Sequence, residues 1–327
     1  MESPSVSVGQ KPLDEFVDVV ANIYSAHDKH RSIWDVWCHT LHHAAGVAEH
    51  VRSGQTEEGL RTEIADFSLW LFTAVLKLRG KFGESKGSFE APHDRFIRIE
   101  NKCSDLLWQK YPKTCPSCST PRIQGHRTEE VRRFAPCECQ AHRPLTESKD
   151  ARRGRINAVR EYSDKIRGEK PTSIDEWQEM FGVVFEANLR ALSLTEVGLH
   201  LMEELGEASD AMIRMCSYTE RNFANGEPNS RQLDLESELA DVFSQLLALV
   251  EKLDELKQIG REHEPGSSKT TSVAAEPVRL SKIIWDRYGS DTLNSFFCST
   301  CKAPVCCCQI VLVPATHSSE ELIQKFV

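Results

Sequence analysis

The chain reads as one unit written twice, and this duplication limits its fold more than any other feature. LDEFVDVVANIY at 13–24 resembles IDEWQEMFGVVF at 174–185, and LHHAAGVAEHVR at 41–52 lies against LMEELGEASDAM at 201–212. LRTEIADFSLWLFTAVLKL at 60–78 matches LESELADVFSQLLALVEKL at 235–253, and LLWQKYP at 106–112 matches IIWDRYG at 283–289. Each series ends in cysteines. Four blocks in the same order mark two copies of one supersecondary unit. The expected organisation is a first unit over 1–145, a charged linker over 146–170 and a second unit over 171–327.

Each copy reads as four helices. In the second they are expected at roughly 173–191, 194–217, 231–258 and 277–288, with Ser173 and Ser193 as start signals. Alternating β-branched runs are scarce apart from IVLV at 310–313. The fold class is therefore all-α, with small metal-bound appendages. The linker TESKDARRGRINAVREYSDKIRGEK is charged and poor in large apolar residues, which suits a linker or a solvated helix. REHEPGSSKTTSVAAEP at 261–277 has loop composition.

Two helices of the second copy carry matched acidic pairs. Leu201, Leu205, Ala208, Met212 and Met215 form one apolar stripe, and Glu204 and Glu207 fall beside it. Leu235, Leu239, Val242, Leu246, Leu249 and Leu253 form the next stripe, with Glu238 and Asp241 at the same angular offsets. If the helices are antiparallel neighbours, four carboxylates converge. Such oxygen ligands suit Mg²⁺ or Mn²⁺ bridging to substrate phosphates. A solvated acidic face would read the same from spacing alone, because like charges at helical spacing cost only about 0.2–0.5 kcal/mol when exposed.

EELGE at 203–207 followed by ELAD at 238–241 resembles the EExxE…ExxD signature of the MazG-like nucleoside triphosphate pyrophosphohydrolases. The resemblance implies helical units, Mg²⁺ dependence and cleavage of a nucleoside triphosphate to a monophosphate and pyrophosphate. Carried over, Glu204, Glu207, Glu238 and Asp241 would be metal ligands, and Glu203 would support them or help activate the attacking water. The family also tends to carry a basic–Tyr–Pro element on its last helix. Here that element is WQKYP at 108–112 and WDRYG at 285–289. It makes Arg279, Lys282, Arg287 and Tyr288 candidates for phosphate contacts, although Arg287 and Gly289 also suit an ordinary helix end.

The first copy keeps Glu63 and Asp66, but His43, Ala44 and Val47 stand where Glu203, Glu204 and Glu207 stand in the second. Magnesium, which dehydrates reluctantly, would be held poorly there. His39 and His43 lie one turn apart and read as ordinary polar helix residues or, less simply, as ligands for a softer metal with Glu63. A fused pseudo-dimer, with or without further homo-oligomerisation, would give the first copy a structural and substrate-shaping role.

Cys115, Cys118, Cys137 and Cys139 in the first copy, and Cys298, Cys301, Cys306 and Cys308 in the second, form two sets of short-spaced thiol pairs. Four-cysteine sets of this kind suit structural zinc, about two ions per chain. His126 and His142 are possible substitutes in the first set and Cys307 in the second. Redox thiols and an iron–sulfur cluster are the competing uses.

The formal net charge of -9 disfavours a protein that coats nucleic acid. The opening MESPSVSVGQKPLDEF lacks a basic region followed by an apolar run, so no signal peptide is expected and the expected location is cytoplasmic. No membrane span is expected either. The leading expectation is a nucleotide pyrophosphohydrolase. The alternative is a non-catalytic helical scaffold, bearing zinc, that binds a protein or nucleic-acid partner.

Overall fold

The computed structural model describes residues 9–54, 56–82, 97–114, 158–159, 161–217, 228–262, 276–291 and 295–308. The described fold is helical. The first half contains α1 (Leu13–Ala21), a 3₁₀ turn (Asn22–Tyr24), α2 (Ser25–Asp28), α3 (Ile33–Ser53), α4 (Glu57–Leu78) and α5 (Cys103–Lys110). The second contains α6 (Ile174–Val184), α7 (Glu186–Ala191), α8 (Leu194–Ser217), α9 (Pro228–Glu262) and α10 (Leu280–Tyr288). A two-residue antiparallel ribbon follows, β1 (Gly289–Ser290) against β2 (Ser295–Phe296).

Local chemistry sets these ends. Ser32 and Asp35 make a reciprocal capping box at the start of α3, and Ser173 and Glu176 make one at the start of α6. Ser193 and Glu196 do the same ahead of α8. Gly54, at φ 62°, ends α3 in the left-handed conformation that glycine adopts without strain. The helix expected over 173–191 is interrupted at Phe185, which leaves helical geometry at φ -98° and ψ 5°. Phe185 is buried there, stacked on Phe181 and edge-on to Tyr111. Tertiary packing of the ring thus coincides with a break that periodicity did not signal. The helix expected over 231–258 extends further at both ends.

The apolar stripes meet in the core. Leu201, Leu205, Ala208 and Met212 on α8 are buried, as are Leu235, Leu239, Val242, Leu246 and Leu249 on α9. Leu60, Ile64, Phe67, Leu71, Ala74 and Leu78 do the same for α4. α3 packs along α4 and α8 along α9, and the two hairpins join through α3 and α8. Trp37 donates its indole N–H to Ser209 Oγ at 2.8 Å across that seam, and Phe72 stacks on Phe243 at 5.7 Å.

The shorter helices cross between halves. α1 packs on α4 and α6 on α9, each within its own half. By contrast, α5 packs on α9 and α10 packs on α4. Each half thus lends a short helix, α5 or α10, to the other half's long central helix. Asp14 accepts from Ser104 Oγ at 2.7 Å, and Asp175 accepts from Ser281 Oγ at 2.6 Å, so repeat-equivalent bonds fasten the lent helices at their bases. Pro12 and Ser173, which also match in the repeat, form an antiparallel bridge.

Part of the 146–170 segment is packed rather than solvated. Ser163 is buried and its carbonyl accepts from the Trp108 indole at 2.9 Å, while Lys170 pairs with Asp105 at 2.7 Å. Cys115, Cys118, Cys137, Cys139, His126, His142 and the 310–313 run lie outside the described residues. Among the described residues no helix is long and apolar enough to cross a membrane.

Candidate functional site

The α8–α9 hairpin brings three of the expected carboxylates together. Glu204, Glu238 and Asp241 each offer an oxygen, and these oxygens lie within 4.8 Å of one another. Glu207 is exposed beside them, and its charge adds to the crowding felt by Glu238. Glu203 lies apart, 62% exposed and paired with His200 at 3.2 Å. One position along the helix turns a side chain by about 100°, enough to carry Glu203 off the seam while Glu204 stays on it.

Crowding shows in the protonation of the cluster. Burial, reinforced by Asp241, Glu207 and Glu238, pushes Glu204 up to about 8 against the pull of Lys110. Burial also pushes Glu238 up to about 7, with Lys110 opposing and Asp241 and Glu207 adding to the rise. Like charges gathered in a half-buried place favour the protonated forms until a cation enters. An all-oxygen set with at least three anionic groups is the donor chemistry that Mg²⁺ or Mn²⁺ takes.

The cation already facing this cluster comes from the first half. Lys110 Nζ pairs with Asp241 and also hydrogen-bonds the Ser237 carbonyl at 3.1 Å. The neighbouring Tyr111 is buried and its hydroxyl donates to the other Asp241 oxygen. Burial and the adjacent Asp241 charge raise the Tyr111 phenol well above its ordinary value, so it stays a neutral donor. Both residues belong to WQKYP, at the end of the lent helix α5.

The four candidate phosphate contacts of the second half have other partners. Arg287 forks onto Asp66 at 3.0 and 3.1 Å, and Tyr288 donates to the same carboxylate. Arg279 pairs with Glu179 at 2.7 Å and Lys282 with Asp286. None of the four is brought to Glu204, Glu238 or Asp241 by these bonds. Lys110 and Tyr111 occupy that position instead. The sequence signal for them was the matched pair WQKYP and WDRYG, which carries no sign of which copy serves which carboxylates.

Around Asp66 the chemistry differs. Ala44 and Val47 are buried in the core, and His43 Nδ1 meets Glu63 at 2.9 Å. His39 stacks on Trp70 with ring centroids 4.2 Å apart. With two acids replaced by apolar residues and Asp66 neutralised by a guanidinium fork, this place is not among the potential metal groups of the described residues.

A second such group is all sulfur. Cys298, Cys301, Cys306 and Cys308 converge within 4.8 Å, with Cys298 and Cys308 4.0 Å apart and Cys301 and Cys306 3.9 Å apart. Zn–S bonds of about 2.3 Å give tetrahedral edges near ~3.8 Å, so the spacing fits a four-thiolate metal such as zinc. The Thr300 N–H points at Cys298 Sγ at 3.4 Å, and backbone N–H groups around Cys301 hold that thiol down to about 6. Cys307 is exposed and outside the group. No family model, curated protein or solved structure matches this chain.

Proposed function

We propose that the chain is a Mg²⁺-dependent nucleoside triphosphate pyrophosphohydrolase, a tandem pair of MazG-like units forming a pseudo-dimer with one working site. Convergence of Glu204, Glu238 and Asp241 beside Lys110 and Tyr111 carries this reading. Glu204, Glu238 and Asp241, with Glu207 at the edge, would hold Mg²⁺ or Mn²⁺. The bound metal would supply charge neutralisation on the phosphates and activation of water for attack.

The residues of the chain divide the remaining work. Tyr111 orients Asp241 by donating to one of its oxygens. Lys110 balances the acidic cluster before substrate arrives and stands ready to meet a phosphate oxygen. Hydrophobic burial of α8 and α9 keeps the carboxylates on rigid elements, which limits the reorganisation needed when charge develops. Glu203, exposed beside His200, is left with a peripheral role at most.

The first unit acts as a structural partner whose own site has been closed by Arg287 and Tyr288. The cysteine group at 298–308 is a structural zinc site, with a second expected from Cys115, Cys118, Cys137 and Cys139. Purified chain incubated with single nucleoside triphosphates and Mg²⁺, with products resolved, tests the activity. Monophosphate plus pyrophosphate supports it. Diphosphate plus phosphate points to different chemistry, and no turnover of any nucleotide favours the scaffold.

A further inference from the structure

We infer that His27 of the first unit is an outer hydrogen-bond donor to the cysteine metal site of the second unit, so that metal binding and docking of the two units are one equilibrium. The inference rests on reading Cys298, Cys301, Cys306 and Cys308 as a metal site.

The geometry is a continuous contact between two segments distant in sequence. His27 Nε2 lies 3.2 Å from Cys306 Sγ. The Cys306 N–H donates to the Ile23 carbonyl at 2.6 Å. Between these two points, Tyr24 Oη stands 3.5 Å from Ser299 Oγ and accepts from the Cys298 thiol at 3.7 Å. Earlier in the first unit, on α1, Phe16 meets Phe296 edge-on at 5.7 Å. Residues 16–27 therefore form a cradle for the loop that carries the four thiols, yet contribute no cysteine to it.

A metal-bound thiolate keeps residual negative charge and accepts N–H donors readily. An imidazole N–H aimed at the sulfur stabilises the thiolate form and fixes its direction, the usual task of groups just outside a metal's ligands. The loop's own backbone bonds run from Cys298 N–H to Ala303 O and from Lys302 N–H to Cys298 O, both 2.9 Å. The Phe297 N–H also bonds the Tyr288 carbonyl at 2.8 Å, which ties the loop to the residue that reaches Asp66. Metal in the loop would thus hold α10 on the first unit. Because binding coupling is reciprocal, the cradle must in turn strengthen metal binding.

The test uses the full chain at graded free zinc, set with a chelator buffer, followed by pulse alkylation and mass spectrometry of each cysteine. In the wild type, Cys298, Cys301, Cys306 and Cys308 should be protected together down to a defined zinc concentration. His27→Ala should lose protection at roughly 10–100-fold higher free zinc, as expected when an outer partner of a ligand is removed. Tyr24→Phe should shift the midpoint in the same direction by less, because the phenol O–H turns to donate to Cys298 Sγ once that sulfur is a thiolate. Buried Cys103 serves as the unfolding reporter.

In a second arm, zinc depletion of the wild type should raise hydrogen exchange at 23–28 as well as at 298–308. If His27→Ala also exposes Cys103, this arm decides: unchanged exchange at 23–28 overturns the inference. Unshifted midpoints in both variants with Cys103 protected overturn the clasp and leave the metal site standing. Alkylation of the wild-type four at every zinc concentration overturns the metal reading and the clasp together.

Discussion

Tyr111 donates its hydroxyl to Asp241, a residue 130 positions further along the chain, while Tyr288 donates to Asp66 in the reciprocal direction. The two bonds join repeat-equivalent residues, but their surroundings have diverged. Asp241 shares its place with Glu204, Glu238 and an ammonium group, whereas Asp66 is gripped by a guanidinium fork. An ammonium with one strong partner is easily redirected to a phosphate, while a bidentate guanidinium is a closed arrangement.

Asp241→Asn and Glu204→Gln are expected to abolish hydrolysis while leaving the helical signal intact. Asp241→Asn removes one negative charge from a crowded cluster, and Glu204→Gln replaces a carboxyl that burial and its neighbours already push up to about 8, so the metal-free protein should keep its fold. Mg²⁺ at a hundredfold excess over its dissociation constant should stabilise the wild type by about 2.7 kcal/mol, and the variants by much less. Circular dichroism, turnover and denaturant titration with and without Mg²⁺ check this. Full turnover in either variant would remove the assigned site.

Lys110→Met should destabilise the metal-free protein, because it leaves the acidic cluster without its resident cation. Lys110 is 29% exposed, which lowers the expected loss to about 1–2 kcal/mol. Saturating Mg²⁺ should restore most of that stability but not the activity. Denaturation midpoints in chelator and in Mg²⁺ supply the comparison. A variant equally stable and fully active would show that Lys110 is a bystander.

Asp66→Asn, by contrast, should cost stability and spare the chemical step. It weakens the Arg287 fork and leaves that guanidinium without its carboxylate, for an expected loss of about 1–3 kcal/mol. Measured at a temperature where the variant is fully folded, kcat should stay within about threefold of wild type, a barrier change under ~0.7 kcal/mol. A collapse of kcat comparable to Asp241→Asn would mean that the first unit's carboxylate takes part in catalysis.

Asp28 should make stability depend on pH. Burial outweighs the 2.5 Å pairing with Arg31 and raises its carboxyl from 3.8 to about 6. The folded state therefore binds this proton more tightly than the unfolded state does. The associated stability is fully present below about 3.8 and is lost as pH rises through about 6. Asp28→Asn, neutral throughout, should flatten that part of the curve. Urea midpoints of both proteins between about pH 4 and about 7 test it, and parallel curves would refute the assignment.

Residues 171–327 alone should lose activity, self-associate, or both. The fragment lacks Lys110 and Tyr111 and uncovers the faces of α8 and α9 that meet the first half. Sedimentation and turnover measured against the full chain give the comparison. A monomeric, fully active fragment would refute the pseudo-dimer.

Short-range patterns in the sequence determined much of this protein by themselves. Helical periodicity placed Leu201, Leu205 and Ala208 in the core, and set Glu204 and Asp241 beside the seam, because side-chain direction in a helix follows from spacing alone. Capping chemistry at Ser173 and Ser193 and the thiol spacing at Cys298–Cys308 were equally local. Tertiary structure alone decided that Lys110 and Tyr111, rather than Arg287 and Tyr288, stand at Asp241. It also decided that the helix beginning at Ile174 breaks at Phe185, and that the loop around Cys306 rests on Ile23 and His27. These outcomes depend on which half each lent helix packs against, a choice made by contacts between residues 130 and 279 positions apart that no local period can encode.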